Sequence, residues 1–385
     1  MSLAERLFHP GTVDCGQEVK EIAWHFYLVV ADAVVAACGT QNIPVNRDIA
    51  VPDDALLRKG GESCWIPELG VALELARHGG EGVNSALAQL MLCNASVGMA
   101  FNVELDVCPV SYLQFAGLRI ARTGRLGIES DGLKVALFTD DLTYRFENKE
   151  GRWECADFPC LLRTYLEDPL VMVTGGNCLD TAVSAPDDVA ISAGDFESAA
   201  GEIQDAFSFI REVVPEYTQW TRRLVRRVHI LGDTAGGVKV RGGRSSPTRP
   251  GHITTTARLP IERQAEELIH ESSHQHFYLF QLLNRLPKNG GGDRRFISPL
   301  NGKSRDISRY LLAYHVVANM AIFYMRLSGN NSANQIIVQE RKKYLKPIAK
   351  EYLDTIRDNS DLLTDEANGF WLPSSNYIAE VCAAL

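Results

Sequence analysis

The stretch from Ala265 to Leu283 limits most strongly how this chain can fold. It contains His270-Glu271-Ser272-Ser273-His274, an H-E-x-x-H, among apolar residues (Leu268, Ile269, Phe277, Leu279, Leu282) that recur at helical spacing. On a helix, residues four apart lie about 40° apart on one face, so both imidazoles can reach one ion. The pattern predicts a buried helix carrying a metal site. Motif spacing alone favours a zinc hydrolase with Glu271 as general base.

A chain of 385 residues, 45% hydrophobic and 23% charged, can bury a large core and divides naturally into two regions. Its net charge of −9 argues against a nucleic-acid partner. The nine cysteines are odd in number and form no C-x-x-C, so they read as reduced thiols of a cytoplasmic protein. The first residues show no basic start and apolar run of an export signal. The most apolar early stretch, Ile22 to Cys38, holds His25 and Asp32 and reads as too short to span a bilayer comfortably, so no membrane partner is expected.

The expected fold is α+β, with N-terminal helices and antiparallel strands followed by a mainly helical C-terminal metal-binding domain. Residues 17–38, Val71 to His78 and Asn84 to Met99 read as helices. Four short β-type runs between Leu118 and Phe146, with turn signals at Gly124, Asp131-Gly132 and Asp140-Asp141, predict an antiparallel meander. A break at Ser184 to Asp188 separates residues 1–190, a candidate peptide-recognition region, from a helical catalytic region, 191–385. Helices are expected from Asp195 to Val214 and from Glu216 to Val228. The second carries Arg222, Arg223, Arg226 and Arg227, which read as a solvated face. The β-branched run Gly251 to Ala257 predicts a strand leading into the motif helix, along which an extended peptide could pair.

Two histidines do not complete a site, since catalytic zinc takes three protein ligands and non-haem iron commonly takes two His and a carboxylate. Phe277 and Phe280 stand where a metzincin would have Gly and a third His. His276 points about 200° away from His274 on the helix. His315, in the apolar run Arg309 to Met320, is the remaining downstream imidazole and the expected third ligand, with Asp306, Glu340 and Glu351 as carboxylate alternatives. The glycine-rich segment from Pro287 to Asp306 reads as a lid or substrate edge. Arg305 and Arg309, four apart, could clamp a carboxylate or simply pair with a nearby acid.

The order of these features resembles the HExxH-motif proteins of pathways that make ribosomally synthesised, post-translationally modified peptides. Carrying it are the arginine-rich segment before Val228-His-Ile-Leu231, the Gly251-His-Ile-Thr strand and the motif helix. The Arg295-Phe-Ile-Ser-Pro299 turn, Arg305 and the apolar helix beyond it follow in the same order. The resemblance covers roughly residues 195–330 and departs at Leu300-Asn-Gly-Lys, where family members often have a Trp and further Arg or Pro. It implies an Fe(II)- and 2-oxoglutarate-dependent enzyme that hydroxylates a side-chain β-carbon of a precursor peptide. By that likeness His270, His274 and His315 hold iron, and Arg305 or Arg309 anchors the 2-oxoglutarate carboxylate.

Three readings follow. In the oxidative one, Glu271 orients a ligand or water; in the hydrolytic one, a zinc metallopeptidase, it takes a proton from water. In the third, the protein binds a peptide without catalysis and the metal is structural, although no cysteine lies between residues 179 and 381 to build a closed zinc site.

Overall fold

The computed structural model describes residues 7–8, 16–52, 65–108, 113–120, 124–140, 142–150, 152–155, 163–166, 171–175, 190–232, 242–288 and 290–383. Helix α1 spans Gly16–Thr40, α2 Pro67–His78 and α3 Gly82–Ser96. At 25 residues α1 runs longer than its pattern predicts, and its length and mean hydropathy of 1.7 would suffice to cross a bilayer. Its inner face nevertheless belongs to the core, with Val30, Ala31 and Val34 buried and the Tyr27 hydroxyl bonded to Asn94 on α3 at 2.8 Å.

The first sheet pairs β1 (Ala100–Asp106), β4 (Arg125–Asp131), β5 (Lys134–Thr139), β6 (Thr143–Lys149) and β7 (Arg152–Cys155), every pair antiparallel, in that spatial order. Alternation sets its inner face: Leu126, Ile128, Val135, Leu137, Tyr144 and Phe146 are buried while their neighbours face outward. A separate hairpin joins β2 (Leu113–Phe115) and β3 (Leu118–Ile120), so the first run expected in the meander lies outside it.

The second sheet has the order β11-β12-β10-β9-β8. It is built from β8 (Arg163–Leu166), β9 (Val171–Thr174), β10 (Arg227–Leu231), β11 (Arg244–Ser245) and β12 (His252–Thr256). Strands β9, β10 and β12 run parallel, and β11 lies antiparallel along the β12 edge. Strand pairing therefore crosses residue 190, and the two regions share a sheet; the Ser184 to Asp188 break itself lies outside the described residues. Helices α4 (Ala193–Val213) and α5 (Pro215–Leu224) connect β9 to β10, with Pro215 opening α5. The arginine-rich helix thus ends at Leu224, short of Val228. Val225, Val228 and Ile230 are buried, and pairing between β9 and β12 draws this stretch into the sheet.

Beyond the sheet the chain is helical, with α6 (Ile261–Leu283), α7 (Ile307–Leu327), α8 (Gln335–Asp358) and α9 (Asp365–Ala383). A small hairpin of β13 (Phe296–Ile297) and β14 (Ser304–Arg305) precedes α7. The fold is α+β, with a mixed N-terminal region and a mainly helical C-terminal one.

Arg227 is not on a solvated face. It is buried on β10, where its guanidinium pairs with buried Glu68 in the first turn of α2 and reaches Gln114 Oε1 at 3.5 Å. Removing one member of such a pair leaves an uncompensated charge, at a cost of about 3–5 kcal/mol. Glu68→Ala should lower the unfolding free energy by about that amount in urea melts, and Glu68→Gln by less.

Candidate metal centre

The H-E-x-x-H turn sits near the middle of α6 as a polar patch inside an apolar helix. Its two serines are fully buried and satisfy themselves locally: Ser272 Oγ donates to the Leu268 carbonyl at 2.6 Å and Ser273 Oγ to that of Ile269 at 2.7 Å. The remaining three polar side chains converge. The Nε2 atoms of His270 and His274 are 3.2 Å apart, and Glu271 Oε1 lies 3.7 Å from His270 Nε2. One ligand atom from each of the three falls within 4.8 Å of the others. Two nitrogens bound to one ion at about 2.0–2.1 Å with tetrahedral angles stand about 3.3 Å apart, so the pair has the right span. The cluster can coordinate a metal ion.

Side-chain bonds hold α6 against the second sheet and so place the edge strand beside this turn. Gln275 accepts from the Gly251 amide at 2.8 Å and donates to the His252 carbonyl at 3.3 Å. Thr255 donates to Glu267 Oε2 at 2.6 Å and accepts from Gln264 at 2.8 Å. Gly243 leads into β11 so close to the helix that a Cβ there would meet the Thr254 carbonyl oxygen at 2.7 Å and Glu271 Cγ at 3.0 Å. Only glycine lets the strand approach this far.

Burial dominates the electrostatics. It pushes His270 down to about 4, with Glu266 opposing and Arg341 reinforcing the shift, and it pushes His274 well below the usual range, helped by His270 and His315. Both imidazoles are therefore neutral at pH 7, the form that binds metal. Burial raises Glu271 to about 8, while the Ser245 hydroxyl nearby pulls the other way and Glu267 adds to the rise. Glu271 Oε2 nevertheless makes no hydrogen bond of ordinary geometry among the described residues.

The other expected ligands are not among the three residues of that cluster. His315 is fully buried on α7, but its Nε2 donates to the Phe8 carbonyl at 2.6 Å, which Asn319 also engages at 2.8 Å. Its ring packs against Phe8, Phe370 and Phe277 at 4.7, 5.0 and 6.0 Å. A buried imidazole needs a partner, and here a main-chain carbonyl takes Nε2. Asp306 caps α7 by accepting from the Arg309 amide at 2.9 Å, and Glu340 and Glu351 are exposed on α8. His276 faces away as its spacing predicts, stacked on Trp220 at 3.9 Å with Nε2 bonded to the Trp220 carbonyl at 2.9 Å.

Neither arginine joins the cluster. Arg305 is half-buried on β14, where its charge bears on Tyr352. Arg309 is exposed in the first turn of α7, and its charge bears on Tyr278. Tyr278 is itself a site residue that motif reading passes over. It stacks on His274 at 5.9 Å, and burial raises its hydroxyl pKa. Its place four residues after His274 extends the metal face of the helix, a signal present in the sequence. Ser245 and Gly243 reach the site only through tertiary packing.

No protein-family model matches this chain, and no curated protein does either.

These shifts fix a pH dependence for the metal-free protein. Histidines pushed down in the fold are neutral there and protonated when unfolded, so they add stability as pH rises from about 4 to 6.5. A carboxyl raised to about 8 binds a proton in the fold that the unfolded chain has lost, so Glu271 removes stability as pH rises between about 4.5 and 8. Above pH 6.5 the Glu271 contribution stands alone among these groups. Thermal melts of the metal-free protein should fall from pH 6.5 to 8, by about 1–2 kcal/mol, and Glu271→Gln should flatten that slope.

Proposed function

We propose that this protein is a peptide-modifying metalloenzyme that uses Fe(II) and 2-oxoglutarate to hydroxylate a side-chain β-carbon of a ribosomally made precursor peptide. The observation that carries this reading is the donor set: His270, Glu271 and His274 are two imidazoles and one carboxylate with ligand atoms in one small cluster. That is the combination non-haem Fe(II) oxygenases use. His270 and His274 would hold the ion. The third place would fall to Glu271, or to His315 if it exchanged its Phe8 bond for the metal. With dioxygen and 2-oxoglutarate, iron supplies an oxidant able to take hydrogen from an unactivated carbon.

The chain's own residues account for the rest. The edge strand β11 runs beside the motif turn, and an extended peptide added there would pass the metal face by backbone pairing. Arg309 places a positive charge near Tyr278 on that face, suited to a carboxylate co-substrate. The likeness in residue order between 195 and 330 points the same way. We place the protein in the cytoplasm, where the free thiols of Cys38, Cys93, Cys108 and Cys155 would stay reduced.

A specific observation favours one other reading. Glu271 is nearly fully buried beside His270 with Oε2 unbonded, where a general base of a zinc metallopeptidase would stand. In that case zinc would acidify a water molecule and Glu271 would accept its proton.

Metal analysis and 2-oxoglutarate turnover after anaerobic purification separate the two. The oxidative reading expects succinate formation that depends on added Fe(II) and is abolished, together with metal binding, in His270→Ala. Tightly held zinc, no succinate, and peptide cleavage lost in Glu271→Gln would replace it with hydrolysis.

A further inference from the structure

We propose that the β13–β14 hairpin and the first turn of α7 form a docking surface for an acidic stretch of the peptide acted on at the metal site. The proposal rests on the peptide-modifying reading for its occupant, but its charge argument stands on the structure. From Asp293 to Arg309 the chain carries five cations, Arg294, Arg295, Lys303, Arg305 and Arg309, against two acids, Asp293 and Asp306, in a protein of net charge −9.

The hairpin register sorts these groups. Phe296 pairs with Arg305 and both turn inward, Phe296 packing on Tyr310 at 5.5 Å. Ile297 pairs with Ser304 on the outer side, where Ile297 is 64% exposed. Arg294 lies over the Phe296 ring at 5.5 Å, and Arg294, Arg295 and Lys303 are all exposed. Asp306 is the carboxylate that pairs with this strip, at 3.5 Å from Arg295 and 4.0 Å from Arg309, and it also caps α7. Among the described residues no carboxylate lies within ion-pairing distance of Arg294, Lys303 or Arg305.

Two acids cannot neutralise five cations, so the strip keeps a positive field on a molecule whose net charge is negative. An exposed isoleucine between cations suits a peptide that alternates acidic and apolar residues. A nucleic acid duplex, charged along its whole length, would meet repulsion beyond this short strip. The strip also adjoins the metal helix, because α7, whose first turn carries Arg309, packs on α6 where Phe277 meets His315 at 6.0 Å.

The test is fluorescence anisotropy on the full chain, metal-loaded and metal-stripped, with a labelled Glu/Leu peptide and a Lys/Leu counterpart. The acidic probe should bind in both preparations, more weakly as salt rises, while the basic probe should not. Arg294→Glu with Lys303→Glu leaves the Asp306 contacts in place and should weaken binding about tenfold without changing metal content or the melting temperature. Adding Arg295→Glu should weaken it further. Equal affinity in the double variant overturns the proposal, as does preference for the basic probe. Displacement of the acidic peptide by an oligonucleotide or by phosphatidylserine vesicles at lower concentration would reassign the strip to nucleic acid or membrane and also overturn it. Binding that follows these expectations in a protein that makes neither succinate nor cleaved peptide would leave the docking surface standing and remove the catalytic reading alone.

Discussion

The cost of burying polar groups governs the C-terminal half of this molecule. Five consecutive polar residues, His270 to His274, interrupt a helix whose flanks are core, Glu271 and the two serines buried and the two imidazoles half-buried. A buried hydroxyl, imidazole or carboxylate without a partner costs roughly 1–3 kcal/mol or more, so each must be answered. The serines are answered by their own helix. The two imidazoles are answered by each other or by a shared ion, and by staying uncharged. Glu271 is answered least well, which is why its acid form is favoured without metal and why a dication beside it would reverse that preference.

The same constraint shapes what surrounds the turn. Glu266, one helical turn before His270, is buried at the junction of three helices. It accepts from the Tyr324 hydroxyl on α7 at 2.7 Å and from Arg341 Nε on α8 at 3.0 Å. On the other side of α6, Gln275, Gln264 and Glu267 take up the polar groups of β12 and its preceding turn. These bonds fix the rotation of α6 about its axis, and that rotation decides which way both imidazoles face. The Arg227–Glu68 pair carries the restraint onward to α2, so the N-terminal helices contribute to the rigidity of the sheet beneath the site.

Much of this was legible in the sequence. The motif helix, the apolar helix after it, the meander and the orientation of His276 all follow from local periodicity, because each depends on residues close along the chain. What local pattern could not give is partner choice across long separations. His315 has the type and burial of a ligand, yet its Nε2 partner is Phe8, about three hundred residues away by sequence. Arg227 sits at the end of a helical charge pattern, yet strand pairing and Glu68 take it out of solvent. Ser245 enters the site only because Gly243 lets a two-residue strand approach α6.

His315 and Phe8 also bear on how a metal could be completed at this site. The Phe8 carbonyl accepts from both His315 and Asn319, and Asn319 in turn accepts from Tyr217 on α5 at 2.9 Å. Residues from three separate parts of the chain thus meet at one buried carbonyl. Moving His315 Nε2 onto a metal would give up its bond to the Phe8 carbonyl and leave that carbonyl to Asn319. Using Glu271 requires no such exchange, because its Oε2 makes no bond to be broken and the negative charge it would regain is the one a cation favours. The three-residue cluster within α6 therefore takes an ion without exchanging a bond, while His315 Nε2 seats Phe8 between α7 and α9.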